Sequence, residues 1–538
     1  MLMCGCESSP PADPVVETRA AEPPQWRVHE LPFAYENGQS RGRLTILESL
    51  GGGGAAVDYD GDGRPDVLLA GGGDFPDGLA PAGLPNGLFR NRGEWRFAEA
   101  AGQSHFASSP RYTHGLAAGD FDNDGFPDFA VTGYGGTTLK RNLGDGTFED
   151  IELDPGEGLA WGSSAAWADF NGDGAADLYV ANYVDWSPEN HPPCVGRDGV
   201  ADVCPPRAFA GLDDRLYFGD GRGGLVLQDP PAAGGKGLGV VVFDADGDGD
   251  ADAYVGNDST DNFLLLNDGT GRLRDEALVR GVATDGVGHP DGSMGVDVGD
   301  ADGDGLPDLW AANYEAEAFA LYRNVGDAGF QYATGPAGVH AVGDLFVGFG
   351  TLFEDVDLDG DEDLLVSNGH VVQTQRQSPI RQKPLLLLNE GGRFTRAEYA
   401  DGFFAEDHLG RGLAAADFDG DGDGDLLLTP TGDPAVLLEN LSDGAPSVSV
   451  RLVDTEGLRD ATTATVTVTG QDGSPAATRQ VTGGGSYLSA SSRTERIALP
   501  AGADDVRLDI RWLDGTRTET HAAADAIGPL TVVRGRPR

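Results

Sequence analysis

Apolar residues in this chain come in short bursts rather than long stripes. "VLLA" (67–70), "FAV" (129–131), "LYVA" (178–181), "AYV" (253–255), "LWAA" (309–312), "LLVS" (364–367) and "LLLT" (426–429) each follow an Asp, and most end at Gly or Asn. A second burst follows each of them: "LFRN", "LKRN", "LYFG", "LLLN", "LYRN", "LLLN" and "LLEN". Runs of this length rich in β-branched and aromatic residues predict strands, not helices. A Gly-rich turn and a shorter run such as "GTFED" complete most units, so each unit reads as an antiparallel meander of about four strands. None of the apolar runs approaches the roughly 20 residues that a membrane-spanning helix needs.

Before each "VLLA"-type burst stands an acidic nonapeptide: "DYDGDGRPD" (58–66), "DFDNDGFPD" (120–128), "DFNGDGAAD" (169–177), "DADGDGDAD" (244–252), "DADGDGLPD" (300–308), "DVDLDGDED" (355–363) and "DFDGDGDGD" (417–425). Successive starts lie 62, 49, 75, 56, 55 and 62 residues apart, and the longest gap carries a cysteine-containing insertion. Five residues before each first Asp stands Gly53, Gly115, Ser164, Gly239, Gly295, Gly350 or Gly412. Four-stranded units at this period predict a β-propeller, whose innermost strands crowd a central axis and need a small residue there. The seventh unit ends at Asn440 without an outer strand. The segment 25–38 is free to supply it and close the ring, removing an exposed edge. The expected fold class is all-β: a seven-bladed β-propeller with Ca²⁺-binding loops, followed by a small β-sandwich. Its expected divisions are a shortened signal-like start and disordered tether (1–24), the propeller (25–442) and the sandwich (443–538).

Crowded carboxylates repel unless a cation sits among them. Position 6 is always Gly, where a positive φ turns the chain back, and oxygen-only ligands on a flexible loop suit Ca²⁺. The expected ligands are Asp58, Asp60, Asp62 and Asp66; Asp120, Asp122, Asp124 and Asp128; Asp169, Asn171, Asp173 and Asp177; and Asp244, Asp246, Asp248 and Asp252. They continue with Asp300, Asp302, Asp304 and Asp308; Asp355, Asp357, Asp359 and Asp363; and Asp417, Asp419, Asp421 and Asp425, for up to seven ions. The loops are not EF-hands, because position 12 is Leu69 in the first and Val131 in the second, where a bidentate Glu is required.

The repeats resemble FG-GAP/VCBS repeats, the units of the integrin α-chain propeller. "ESLGGGGAAVDYDGDGRPDVLLA", "GSMGVDVGDADGDGLPDLWAANY" and "GRGLAAADFDGDGDGDLLL" are similar to the cartilage acidic protein family. "TRQVTGGGSYLSASS" and "VRLDIRWLDGTRTE" resemble the ASPIC/UnbV domain that ends members of that family. The resemblance implies a surface-attached or secreted, calcium-binding, adhesion-like protein.

Composition narrows the partners. A formal net charge of −51 excludes electrostatic binding of nucleic acid or an anionic membrane surface. Membrane attachment would come only through a lipid anchor: Gly5-Cys6 followed by a polar, Pro-rich stretch resembles the end of a lipoprotein signal, making Cys6 the candidate for lipidation. Cys194 and Cys204 cannot close a tetrahedral zinc site by themselves, so a disulfide across their short Pro-flanked loop is expected, implying an oxidising compartment. The location expected is extracytoplasmic, in the periplasm, on the outer surface or secreted. His114, Trp161, Asp291, Phe346, Phe349 and Arg411 lie just before innermost strands and are expected to line one channel mouth as a candidate ligand face. No Ser/His/Asp or Cys/His set can be assembled from spacing. The reading is a monomeric, non-catalytic adhesion or ligand-binding protein for a protein or glycan. The alternative is a secreted carbohydrate-active lyase or hydrolase using the channel mouth; a deep pocket joining His114, Asp291 and Arg411 would favour it.

Overall fold

The structure, a computed structural model, describes residues 23–534 apart from 154–159, 197–198, 344, 375, 443–444, 456, 471–474, 500–504 and 524–528. Cys6 and nearly all of the tether lie outside the described residues. Each acidic nonapeptide links the first two strands of an antiparallel sheet, as the alternation of apolar bursts and Asp/Gly loops predicts. The first strands are Gly54–Val57, Tyr112–Gly119, Gly162–Ala168, Gly237–Phe243, Val296–Gly299, Gly348–Glu354 and Gly412–Ala416. Among the described residues this gives seven such sheets, each built on a four-stranded meander. The first is interrupted by a separate hairpin of Gly73–Asp77 and Ala80–Gly83, the fourth gains Gly483–Gly484 as a fifth strand, and the last takes its outermost strand from elsewhere in the chain. In that last sheet the outermost strand is Trp26–Ala34, which pairs antiparallel with Pro434–Asn440 in the register Trp26↔Asn440 and Glu30↔Val436. The two ends of the ring are thus held in one sheet. Each first strand packs on the next, and the seventh packs on the first, so the ring is closed.

The axial residues show what the crowding demands. A Cβ on Gly295 would stand 1.9 Å from Phe349 O, one on Gly412 2.3 Å from Gly52 O, and one on Gly350 2.5 Å from Arg411 O. Ser164, the exception, uses its hydroxyl instead: it donates to Leu238 O (2.7 Å) and accepts the Leu488 N–H (3.1 Å).

Leu488 belongs to the C-terminal region, which builds two further sheets. One joins Ser447–Asp454 to Thr494–Ala498 and, in parallel, to Leu530–Arg534; the other orders Pro475–Gln480, Thr465–Thr469, Asp505–Arg511 and Arg517–Ala523. They share a core of Val450, Val466, Val468, Ile497, Leu508 and Trp512. Between Gln480 and Thr494 the chain leaves these sheets and enters the axis of the ring. There it hydrogen-bonds the first strands of all seven sheets. Gly485 N–H donates to Val240 O (2.9 Å), while Val296, Leu116 and Ala56 N–H groups donate to the carbonyls of Ser486, Leu488 and Ala490 (3.1, 3.0 and 2.9 Å). Ser486 Oγ accepts from Thr351 N–H (3.1 Å) and donates to Leu413 O (2.8 Å), and Ser164 makes the seventh link. Innermost strands have no neighbour on their axial side, and a buried amide without an acceptor costs roughly 1–3 kcal/mol. The Gly/Ser-rich insertion supplies partners where side chains would not fit.

Candidate metal loops and a closed channel

Position-6 glycines take the positive φ their loops require, from 84° at Gly174 to 107° at Gly360. That turn lets the first Asp cap its own loop. Asp58 Oδ1 accepts the Asp62 N–H (3.1 Å) and Oδ2 the Gly63 N–H (2.8 Å), and Asp120, Asp300 and Asp355 repeat the pattern. Oxygens of positions 1, 3 and 5 gather within 4.8 Å of one another in Asp58/Asp60/Asp62, Asp244/Asp246/Asp248, Asp300/Asp302/Asp304 and Asp355/Asp357/Asp359; in the second loop the set is Asp120/Asp122/Asp128. Position 3 stands apart. Asp60, Asp122, Asp246, Asp302 and Asp357 each bury an oxygen that no donor reaches. Burial pushes Asp120 and Asp355 up to about 7. A divalent cation would reverse that shift, as opposite charge favours the ionised carboxylate. The residues therefore fit a hard cation with oxygen ligands.

Position 9 does a second job that its sequence did not announce. Asp128 Oδ2 accepts the Phe121 N–H of its own loop (3.1 Å), and Oδ1 accepts the Asn142 N–H at the end of the third strand (2.7 Å). Burial holds Asp66, Asp128 and Asp308 up at about 8. Each oxygen retains a lone pair, so the backbone bonds do not prevent ligation. The third-strand Asn is then a latch between sheets. Asn142 Nδ2 donates to Tyr59 O in the preceding unit's loop (2.8 Å), and Asn91, Asn267, Asn324, Asn389 and Asn440 do the same to Phe418, Phe170, Ala245, Ala301 and Val356. Gly219 ends the third strand of the remaining unit and has no side chain to make the link.

The C-terminal region sits on this aspartate face. Asp120 N–H donates to Asp460 Oδ2 (3.1 Å) and Asp244 N–H to Gln480 Oε1 (2.9 Å); Arg459 and Arg511 approach Asp120 and Asp244 at 3.4 and 3.6 Å. Arg496 forks onto Glu354 with bonds of 2.7 and 2.6 Å.

At the other end of the axis the candidate ligand face is closed, correcting the open mouth expected from sequence. His114, Trp161, Phe349 and Arg411 are at most 1% exposed. Trp161 Nε1–H donates to His114 Nε2 (2.9 Å), and burial draws the imidazole down to about 3. Arg411 lies 4.0 Å over the Phe349 ring and donates to Gly369 O (3.1 Å) and Gly410 O (2.7 Å). Tyr487, at the tip of the axial insertion, packs on Phe349 with ring centroids 4.9 Å apart. Leu47, Trp186 and Phe209 from two flanking segments complete the cover. Asp291 is buried elsewhere and accepts from Asn313 Nδ2 (3.1 Å), while Phe346 is half-buried beneath Arg396. These six residues do not form one accessible site. The Cys194–Cys204 disulfide is present, and its loop belongs to the cover: Asp202 accepts the N–H groups of Gln373 (2.9 Å) and Thr374 (2.8 Å).

A closed ring of meanders with its axis filled is a β-propeller. Models of the FG-GAP-like repeat match residues 58–131, 120–180 and 244–311, and the model of ASPIC and UnbV matches 454–531. The chain is an FG-GAP repeat propeller with a C-terminal ASPIC/UnbV domain. No curated protein matched it. Similar solved structures include an Agrocybe aegerita lectin that recognises non-reducing terminal N-acetylglucosamine, at 17% identity over 63% of this chain and 77% of that one (TM-score 0.39). A Bacillus licheniformis rhamnogalacturonan lyase is 13% identical over 77% and 75% (TM-score 0.39), and YCF48 bound to D1 peptide 10% identical over 80% and 100% (TM-score 0.43). These likenesses are too loose to transfer a ligand or an activity.

Proposed function

We propose that the seven sheets are seven blades of a calcium-loaded propeller (25–442), capped by a small β-sandwich (443–538), that works outside the cytoplasm as a non-catalytic binding protein. The observation supporting calcium is the buried position-3 oxygen left without a donor in five loops. Leaving such a group unpaired is costly, and a cation held by positions 1, 3 and 5 would offset it. Asn171 would serve in the third loop and the Asp417–Asp425 set in the seventh, with the position-9 carboxylates closing each site. The disulfide supports an oxidising compartment. Lipidation at Cys6 would tether the monomer through residues 1–24.

The filled axis turns the reading away from a lyase or hydrolase at the channel mouth. His114 and Arg411 are committed to buried partners and have no room for a sugar. The ligand, a protein or a glycan, is taken on an outer surface of the ring. Probing glycan and extracellular-protein arrays with the full chain, with calcium and with EDTA, tests this. Calcium-dependent capture without change to the captured glycan is the expected result. Release of cleaved or unsaturated sugar would overturn the non-catalytic reading.

A further inference from the structure

The aspartate loops are alike in sequence, yet the basic groups around them differ. Arg459 and Arg511 reach Asp120 and Asp244, Arg280 stands 3.6 Å from Asp246, and the third strand adds a further difference. The residue before the third-strand Asn (or Gly219) is Arg90, Arg141, Phe218, Leu266, Arg323, Leu388 or Glu439 in chain order. Where it is Arg, the guanidinium turns onto its own loop. Arg141 donates from Nε to Asp122 Oδ2 at 2.7 Å, with Nη2 2.6 Å from the same oxygen. Arg90 Nε lies 2.5 Å from Asp60 and its Nη2 3.1 Å from Asp62, and Arg323 stands 3.5 Å from Asp302. In the sixth unit the place belongs to Leu388. Among the described residues no ion pair to an arginine reaches Asp357 or Asp359. Asp122 and Asp357 each keep one buried oxygen without a donor, so the arginine on the other Asp122 oxygen is what separates the two loops.

From this contrast, and resting on the calcium reading, we infer that the third-strand arginines grade the loops, so that the sixth loop binds Ca²⁺ much more tightly than the second. A fixed positive charge on a ligand oxygen occupies a lone pair and repels an incoming divalent cation. Asp122 is almost wholly buried while Arg141 is 37% exposed, so solvent screens that repulsion only in part. The same arginine supplies part of the neutralisation that calcium gives elsewhere. The second loop then stays folded at low calcium, while the sixth depends on the ion.

Crystals of the full chain equilibrated at graded calcium, with anomalous scattering read loop by loop, test the order. The sixth loop should fill at lower calcium than the second in the wild-type protein. In Arg141→Leu the second loop should fill at about tenfold lower calcium. Because the wild-type order needs no variant, a poorly folding substitution does not remove the test, and Arg323→Leu gives a second one at the fifth loop. Equal occupancies in the wild type, or an unchanged second loop in Arg141→Leu while the sixth is filled, would overturn the grading alone. Absence of calcium from every loop at millimolar concentration would overturn the calcium reading and the grading with it.

Discussion

The two ends of the propeller axis are built on opposite plans. At the aspartate end, seven loops repeat one motif, and five of them leave a buried position-3 carboxylate oxygen without a donor. At the other end three dissimilar segments cover the axis, and there Glu315 and Asp202 are well supplied with donors, although Glu48 keeps one buried oxygen without a donor. Glu315 accepts the N–H groups of Gln377 (2.9 and 2.8 Å) and Ser378 (2.9 Å), and Asp202 those of Gln373 and Thr374. The aspartate end repeats the same unmet demand from loop to loop, whereas the unpartnered polar atoms of the covered end follow no repeat. The C-terminal domain touches both, resting on the loops and sending Tyr487 through to the far cover.

Removing the closing strand breaks both plans together. A chain beginning at residue 40 loses Trp26–Ala34 and its pairing with Pro434–Asn440. It should melt at least about 10 °C lower or aggregate, whereas one beginning at residue 24 should melt like the full chain. Equal melting curves for the two would show that the ring closes without that strand.

Calcium removal should separate the two ends. EDTA is expected to lower the melting temperature and speed hydrogen exchange in the aspartate loops, with the Cys194–Cys204 cover little changed; Mg²⁺ should restore less than Ca²⁺, since it demands stricter octahedral geometry. Loss of protection at the cover first would reverse the comparison.

Smaller effects probe one residue at each end. Asn142→Ala cuts the latch to Tyr59 O and should cost about 1–3 kcal/mol in chemical denaturation, as one buried and one part-buried carbonyl lose their donor. At the covered end, His114 is neutral when folded, its pKa lowered to about 3 from 6.5. Its contribution is complete above about pH 6.5 and is lost as pH falls towards 3, at up to about 1.4 kcal/mol per pH unit. His114→Gln should flatten the acid side of the stability curve by that slope; an unchanged curve would place His114 outside the acid response.

Much of the aspartate end could be read from the chain, because its information is local. Asp spacing, the position-6 glycine and the axial glycine each state a backbone requirement within a few residues, and the missing outer strand of the last unit pointed to residues 25–38. The Asn latch was visible as a repeated letter, with Gly219 the exception, but its acceptor lies in another unit some 80 residues away. The far end was misread for the same reason. His114, Trp161, Phe349 and Arg411 do lie near the axis, but what covers them comes from a Gly/Ser-rich segment more than 70 residues further on and from two insertions. Nothing in "VTGGGSYLSASS" itself says that its backbone will fill a channel.

The central claim is that the unmet carboxylates of the aspartate end belong to calcium. Native mass spectrometry of the folded full chain, dialysed against calcium and then desalted, counts the ions directly. Several bound Ca²⁺ ions, up to seven, and their loss when Asp357→Asn and Asp246→Asn are introduced one after the other, are the result predicted here. A folded protein carrying no metal would contradict it.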